Sequence, residues 1–274
     1  MGLVAQHWPL KLFPAGDVSI PLRKSGAFLT SATFAGMPAG DLANLSGCNV
    51  AIIGASEGSP YQTGQSSHAA NAPAALRQAS QKFARQLRQY DWDLGGVLPS
   101  ADEDTGIRDC GDVATDPFDA PGNRRRITDA TRAILEAGAA PIILGGDDSI
   151  PIPWFAGFEG RGPYTVLQVD AHADWGDVIQ GNPFGYGSPM RRAAELDCIT
   201  GMVQVGTRGL GSGEAWQIAD ARNWGSRLVT MQEVRRSGLG AALEAIPGGE
   251  VLISIDCDGL DPAVLGAVNM PPAG

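Results

Sequence analysis

TVLQVDAHAD, residues 165–174, is the stretch that decides the fold. Its first five residues are mostly apolar and predict a strand over 165–169, and this strand ends directly in Asp170, His172 and Asp174. A strand covered by helices on both faces has a near-continuous apolar sequence, whereas a strand with one wet face alternates apolar and polar residues. We therefore predict a buried parallel strand whose carboxyl end carries acidic side chains.

Apolar runs of the same kind alternate with helical patterns along the chain. The strands are predicted over 50–54, 142–145, 165–169, 202–205, 227–230 and 251–255, and the helices over about 73–89, 123–137, 188–196, 213–223 and 231–245. Such alternation predicts an open α/β fold, a parallel sheet with helices on both faces. A closed eight-stranded barrel is the alternative, but 274 residues leave little room for eight repeats after an N-terminal arm. We predict an arm with loops over 1–47 and a single domain over 48–274.

Two more predicted strands end in acidic residues, in GGDDS (145–149) and SIDCDGLDP (254–262). Open parallel sheets bind ligands at the carboxyl ends of their strands. Residues two apart in an extended chain project to the same side, so Asp170 with His172, and Asp256 with Asp258, each direct two donors to one place. Because so many carboxylates repel one another unless cations neutralise them, the sequence predicts a divalent-ion site. Carboxylates with one imidazole suit Mn²⁺ better than structural zinc.

Each acidic motif has a simpler interpretation when it is taken alone. Asp147 or Ser149 can accept backbone N–H bonds at the start of a helix, and residues 256–262 can form a turn. A calcium loop of the EF-hand type is excluded, because Gly259 stands fourth in its run rather than sixth. Three such motifs at three strand ends favour one shared metal site.

The charge balance and the cysteines restrict the partners and the setting. The chain has 20 Lys plus Arg against 30 Asp plus Glu, a formal charge of −10. This balance disfavours nucleic acid and anionic membranes and suits a cationic small molecule, although acidity equally serves solubility. The four cysteines form no CxxC pair, and neither a leader pattern nor a run of about 20 apolar residues occurs. We expect a cytoplasmic protein.

GGDDS, DAHAD and SIDCDGLDP together resemble the ureohydrolase family of arginase and agmatinase, and VAIIGASEGSPYQTG (50–64) and GSPMRRAAEL (187–196) add support. The agmatinase-like branch is favoured. The resemblance implies a three-layer α/β/α sandwich around a central parallel sheet, assembled as a homo-oligomer, a trimer or hexamer. It also implies two Mn²⁺ ions bridged by a hydroxide that attacks a cationic guanidino small molecule, agmatine-like or a guanidino acid, to give urea and an amine.

The resemblance also assigns residues. The implied metal ligands are Asp148, Asp170, His172, Asp174, Asp256 and Asp258. Asp170 and Asp256 are expected to bridge both ions, and the candidate catalytic residues are Asp174 and Tyr186.

The motifs depart from the family pattern at two positions. Asp148 stands where the family has His, which makes the site one charge more negative and predicts oxygen-loving ions, with one tightly held ion or another divalent metal as alternatives. Otherwise Asp148 faces away and caps the following helix. Tyr186 stands where the family has a proton-shuttling His, and a phenol that titrates near 10 relays protons poorly at neutral pH. His68 either enters the site or lies on the surface.

The family continues beyond the position of Gly274 with another strand and a Glu that grips the guanidinium, so the resemblance implies a domain truncated at its C-terminus. Two other functions stay open. The first is a catalytically impaired relative that serves as a metal-binding or subunit-interaction protein. The second is a hydrolase of the same fold that acts on an amide or amidine at a single metal.

Overall fold

The structure is a computed structural model, and it describes residues 32–62, 64–87, 89–97, 105–266 and 268. Most of the predicted N-terminal arm, including His7, and the last residues, 269–274, lie outside the described residues. Within the described residues, no helix is both long and apolar enough to cross a bilayer.

Parallel strands form the centre of the molecule. In chain order the strands are β1 Val50–Ala55, β2 Tyr90–Asp91, β3 Gly96–Val97, β4 Ile107–Asp112, β5 Ala140–Gly145, β6 Tyr164–Val169, β7 Ile199–Thr207, β8 Arg227–Thr230 and β9 Glu250–Ile255. One parallel sheet has the order β4-β1-β5 and another has the order β8-β7-β6-β9, while β2 and β3 form a small antiparallel hairpin. The predicted α/β fold with parallel sheets is confirmed.

Helices flank these sheets and bury their apolar faces. They are α1 Ala72–Ser80, α2 Ala120–Glu136, α3 Pro151–Ala156, α4 Pro189–Ala194, α5 Ala215–Trp224 and α6 Met231–Leu243. The short helix α3 packs against both α2 and α4, and its Trp154 and Phe155 join the core that includes Val166 of β6 and Met202 of β7. Helix α3 therefore connects the two halves of the molecule.

All six strands predicted from the sequence are present, most of them slightly longer than predicted. Strand β4 was missed because its sequence, Ile-Arg-Asp-Cys-Gly-Asp, is largely polar. Its Asp109 is nevertheless buried, because the Arg77 guanidinium binds both carboxylate oxygens, at 2.8 and 3.0 Å. Helix α3 was missed because its sequence, Pro-Ile-Pro-Trp-Phe-Ala, has no helical period, and the prolines stand in the first turn where their missing N–H is tolerated. The helix predicted over 73–89 ends at Ser80 and continues only as a single 3₁₀ turn.

A gap separates the two parallel sheets. Among the described residues β5 pairs only with β1, and β9 pairs only with β6, so each strand has one edge free of strand partners. A cavity of about 2080 Å³ lies along these edges. Ile142 of β5 and Ile253 of β9 are 46% and 55% exposed. Apolar side chains and open edges of this kind are unusual in the middle of a parallel α/β fold.

The ion pair between Arg77 and Asp109 predicts a large loss of stability on substitution. Arg77→Met leaves the Asp109 carboxylate, whose side chain is 1% exposed, without its cation. We expect the free energy of unfolding, measured by urea denaturation, to fall by about 3–5 kcal/mol. Arg85→Met, at an exposed arginine just after α1, is the control and should change it by about 0.5 kcal/mol or less. Equal losses in the two variants would contradict this account.

Candidate metal centre

The carboxyl ends of β5, β6 and β9 meet at one edge of the fold. Asp256 N donates to the Val169 carbonyl, which joins the ends of β9 and β6. Two glycines allow this close approach: a Cβ at Gly206 would lie 2.8 Å from the Asp170 carbonyl oxygen, and a Cβ at Gly259 would lie 3.0 Å from the Asp170 nitrogen. Asp170 therefore lies at the centre of the cluster, buried between neighbouring strand ends.

The acidic side chains form two groups with metal-ligand spacing. Asp170, His172 and Asp258 form one group, and Asp148, Asp170 and Asp256 form the other. Within each group, the candidate ligand atoms lie within 4.8 Å of one another. Asp170 belongs to both groups, as expected for a bridging carboxylate, whereas Asp256 belongs to one. The structure thus brings together five of the six predicted ligands, and their binding of metal stays a prediction.

Asp174, the sixth predicted ligand, lies beside these groups but belongs to neither. Its Oδ2 accepts a hydrogen bond from Gln168 Nε2 at 2.6 Å, and the same nitrogen donates to Asp170 Oδ2 at 2.7 Å. Its backbone has a φ of +48°, a left-handed conformation that Asp tolerates better than most residues. Asp174 is therefore held against Asp170 by a shared donor.

Sequence reasoning missed the polar residues that support these aspartates. Gln204 of β7 pairs in register with Gln168 of β6 and donates to its Oε1 at 2.6 Å. Ser226 donates to Gln204 Oε1 at 2.8 Å, and all three side chains are buried. One feature of the sequence could have identified these residues: each of two apolar strands contains a glutamine. A buried amide side chain needs hydrogen-bond partners, so both glutamines indicate a buried polar network.

The shifted pKa values reflect the crowding of buried negative charge. Burial raises the pKa of Asp148 well above its usual value, and the nearby Asp256 and Asp170 raise it further. Burial also raises the pKa of Asp256 to about 7, with Asp170 adding to it. Hydrogen bonds to Asp170 and Asp258 raise the pKa of His172 to about 10. The imidazolium of His172, with its Nδ1 3.0 Å from Asp258 Oδ2, thus supplies positive charge to the cluster.

The donor set fits divalent cations. Asp148 Oδ2 is buried and has no hydrogen-bond partner, which is costly unless a cation binds it. Carboxylates with one imidazole suit Mn²⁺ and similar ions. The alternative in which Asp148 faces away as a cap is wrong, because Asp148 joins Asp170 and Asp256 in one ligand group and α3 has no side-chain cap. Asp147 Oδ1 accepts from Ser149 N at 3.0 Å in the turn that precedes this helix.

Aromatic side chains form one wall above the carboxylates. Tyr186 contacts the Tyr61 ring edge-on, with ring centroids 4.4 Å apart, and contacts His68 at 5.9 Å. These three rings, which we call the aromatic wall, border the same cavity as Asp148 and Asp170. The sequence left open whether His68 enters the site or lies on the surface. In the structure both hold, because the side chain is exposed and borders the cavity.

Arg208 is a further residue that sequence reasoning missed. Its guanidinium donates to the carbonyl oxygens of Asp258 at 2.6 Å and Leu260 at 2.8 Å. These bonds tie the end of β7 to the loop that carries Asp258. Arg208 therefore positions a candidate ligand without reaching the cluster itself.

Comparisons with known proteins agree with this geometry. The family model for arginases matches residues 48–274. The chain is 31% identical over 275 residues to the mitochondrial agmatinase of Gallus gallus, covering 93% of this chain and 77% of that protein. It is 33% identical over 178 residues to the guanidinopropionase of Pseudomonas aeruginosa, covering 61% of this chain and 55% of that enzyme. The chain thus spans little more than half the length of the second relative.

Solved structures share the fold. The crystal structure of a hypothetical agmatinase from Burkholderia thailandensis matches with a TM-score of 0.72 and 26% sequence identity, covering 89% of this chain and 73% of that chain. A match over 89% of the chain includes most of the described residues.

The raised pKa values predict how pH and metal act together. Between about pH 4 and 7 the folded protein keeps a proton on Asp256 that the unfolded chain, in which this carboxyl titrates at its ordinary pKa of 3.8, releases. His172 likewise stays protonated up to about 10 in the folded state. Both groups favour the folded state at low pH and lose that contribution as pH rises. We expect the Tm of the metal-free protein to fall from pH 5 to 8, and the gain in Tm on adding Mn²⁺ to be larger at pH 8 than at pH 6, because binding displaces these protons.

Calorimetry of Mn²⁺ binding in buffers of different ionisation enthalpy provides the second measurement, with release of about one proton or more expected at pH 7. Asp170→Asn, which removes the carboxylate shared by both groups, should abolish the gain in Tm. A gain that is equal at both pH values, with no proton release, would contradict the account.

Proposed function

Because the chain belongs to the arginase family, we propose that it is a metal-dependent hydrolase that cleaves a guanidino compound to urea and an amine. The observation that carries this proposal is the pair of ligand groups that share Asp170 at the ends of three strands. The agmatinase and guanidinopropionase relatives are named for guanidino substrates, which supports the same reaction class.

We assign two Mn²⁺ ions to the site, which the two groups would hold together with Asp174. One ion, or another divalent metal, is the alternative that the extra charge of Asp148 favours. Bound divalent ions supply an activated water nucleophile and polarise the substrate.

The reaction balances with water as the only co-reactant. The water oxygen bonds to the guanidinium carbon, and the bond from that carbon to the alkyl-substituted nitrogen breaks with both electrons going to nitrogen. A proton must reach the departing nitrogen, which leaves as an amine while the remaining atoms form urea. Asp174, with its Oδ2 held by Gln168, is the residue that we assign to carry this proton. The Tyr186 hydroxyl is assigned to orient the departing group.

A catalytically impaired family member is the second candidate. The observations that favour it are Asp148 and Tyr186, which replace two imidazoles of the family pattern. Such a protein would bind metal and serve as a metal-binding or subunit-interaction protein without releasing urea.

We further propose a cytoplasmic homo-oligomer that has neither nucleic acid nor membrane as a partner. The formal charge of −10 supports the absence of anionic partners. All four cysteines are free, and three of them are buried, which suits a reducing compartment.

We also propose that residues 48–274 form one domain that needs one more strand, supplied from outside the described residues. The support is the pair of open edges on β5 and β9, whose carboxyl ends both point to the cluster. A strand in the gap would pair with both open edges and would cover Ile142 and Ile253. A single strand would thereby unite the two sheets into one.

Urea release is the direct test of the reaction. The full-length protein loaded with Mn²⁺ should release urea from at least one simple alkylguanidine or its amine- or carboxylate-tailed analogues. We expect Asp258→Asn to lower kcat/KM by at least about 100-fold, because even residues that only support metal ligands cost 10–100-fold. Asp261→Asn, at an exposed carboxylate of the same loop outside both groups, is the matched control. Tight metal binding without any urea would favour the second candidate.

The proposed strand is tested by placing charge in the gap. In the full-length protein, Ile142→Lys and Ile253→Lys should each lower the free energy of unfolding by at least about 2 kcal/mol, because the ammonium would be buried. Leu239→Lys, at a half-exposed position of α6, is the control and should cost about 0.5 kcal/mol or less. If these two variants lose as little free energy of unfolding as the control, the gap is open to water and the proposed strand is absent.

A further inference from the structure

The residues that line the cavity determine which chemical group the substrate can carry at the end of its tail, away from the guanidine group. A guanidino substrate whose reacting carbon lies at the carboxylates must extend towards solvent between the loops at this edge of the sheet. Two of these loops supply the aromatic wall: Tyr61 and His68 follow β1, and Tyr186 follows β6. The charge and chemistry around these rings therefore determine which tail is accepted.

The loop that carries His68 is fixed in place by acidic residues. Ser67 N donates to Glu57 Oε2 at 2.8 Å, and Ser67 Oγ donates to Asp147 Oδ2 at 2.7 Å. Glu57, Ser67 and Asp147 are all buried. Tyr61 is held from the other side, because its hydroxyl accepts a hydrogen bond from Gly187 N at 3.0 Å. The aromatic wall is thus a built surface with negative charge behind it.

Positive side chains are scarce around this cavity. Among the described residues that line it, Arg161 is the one arginine or lysine. Arg161 precedes the amino end of β6, at the opposite edge of the sheet from the carboxylates. The imidazole of His172 is bound to Asp170 and Asp258. A carboxylate tail would therefore find no arginine or lysine partner among these residues.

One arginine packs against residues of these loops but does not face the cavity. Arg124 of α2 donates to Ser59 Oγ at 2.6 Å, and its guanidinium lies 4.1 Å from the centroid of the Phe184 ring. Neither Arg124 nor Phe184 borders the cavity. This arginine belongs to the packing behind the loops rather than to the substrate path.

We infer that the site selects a guanidine whose tail carries a positive charge, an ω-aminoalkylguanidine, over a guanidino acid. The inference rests on the proposed function and decides between its two substrate classes. An ammonium that contacts aromatic rings gains a cation–π attraction that corresponds to roughly 2- to 30-fold in affinity. A carboxylate in the same place would have Glu57 and Asp147 behind the wall and would lose its hydration without gaining an arginine or lysine partner.

Three guanidines of matched length test the inference. Each has four methylenes after the guanidine group, followed by an ammonium (agmatine), a methyl (n-pentylguanidine) or a carboxylate (5-guanidinopentanoate). We expect kcat/KM for urea release from the Mn²⁺-loaded full-length protein to follow that order, with agmatine at least about tenfold above the acid. An acid that is turned over as fast as the neutral compound overturns the inference.

Failure of the proposed function gives a different result. If none of the three compounds releases urea, the hydrolase proposal fails. Calorimetric binding of the same three compounds to the Mn²⁺-loaded protein then still decides the inference. Tightest binding of the ammonium compound supports it, and equal or tighter binding of the acid overturns it.

A charge placed on the wall provides a second test. His68→Lys should lower the ratio of kcat/KM for agmatine to that for 5-guanidinopentanoate by roughly 3- to 10-fold, because a fixed cation repels the ammonium and attracts the carboxylate. Gln65→Lys adds the same charge at an exposed position of the same loop and should leave the ratio within about twofold. An unchanged ratio in His68→Lys would overturn the assignment of the tail to this wall. If no urea is released, the ratio of the dissociation constants of agmatine and 5-guanidinopentanoate is measured in place of the kcat/KM ratio.

Discussion

Mutual repulsion among buried carboxylates is the constraint on which the rest of this structure depends. Asp148, Asp170 and Asp256 come from three different strands and share one volume, where burial and their neighbours raise the pKa values of Asp148 and Asp256. Without metal, protons and the imidazolium of His172 reduce the negative charge of the cluster. A fold can maintain such a cluster when its cations belong to the working state, because each cation replaces a proton and turns repulsion into attraction.

The scaffold keeps the carboxylates in place when the cations are absent. Gln168 donates to both Asp170 and Asp174, and Gln204 holds Gln168 from the next strand. These amides remain fixed donors at any pH near neutral, so they orient the aspartates whether or not a proton is present. Arg208 holds the backbone of the Asp258 loop in the same manner. Preorganisation of this kind reduces the reorganisation that metal binding would otherwise need.

The sequence predicted the features that depend on local pattern and missed those that depend on distant partners. Apolar runs identified β1, β5, β6 and β9, and period-two spacing predicted that the side chains of Asp170 and His172 point to the same place. Strand β4 was not predicted because its buried Asp109 has partners that are distant in the sequence, the Arg77 guanidinium 32 residues away and the Phe34 N–H. The offset of Asp174 from both ligand groups follows from its left-handed backbone and its bond to Gln168, which spacing alone does not reveal. Whether His68 faced the cavity depended on how Ser67 is held by Glu57 and Asp147.

The gap between the sheets and the candidate metal site are physically coupled. Asp148 extends from the end of β5 and Asp256 from the end of β9, so one ligand group spans the gap. An ion in that group attracts both strand ends, and a strand between β5 and β9 would fix the same separation through backbone hydrogen bonds. Binding of the ion and insertion of the strand would each lower the free-energy cost of the other, because both favour the same spacing of the two sheets. Metal affinity at this group and closure of the sheet are therefore expected to be coupled, whereas the second ligand group, whose residues follow β6 and β9, is linked to the gap through Asp170, which both groups share.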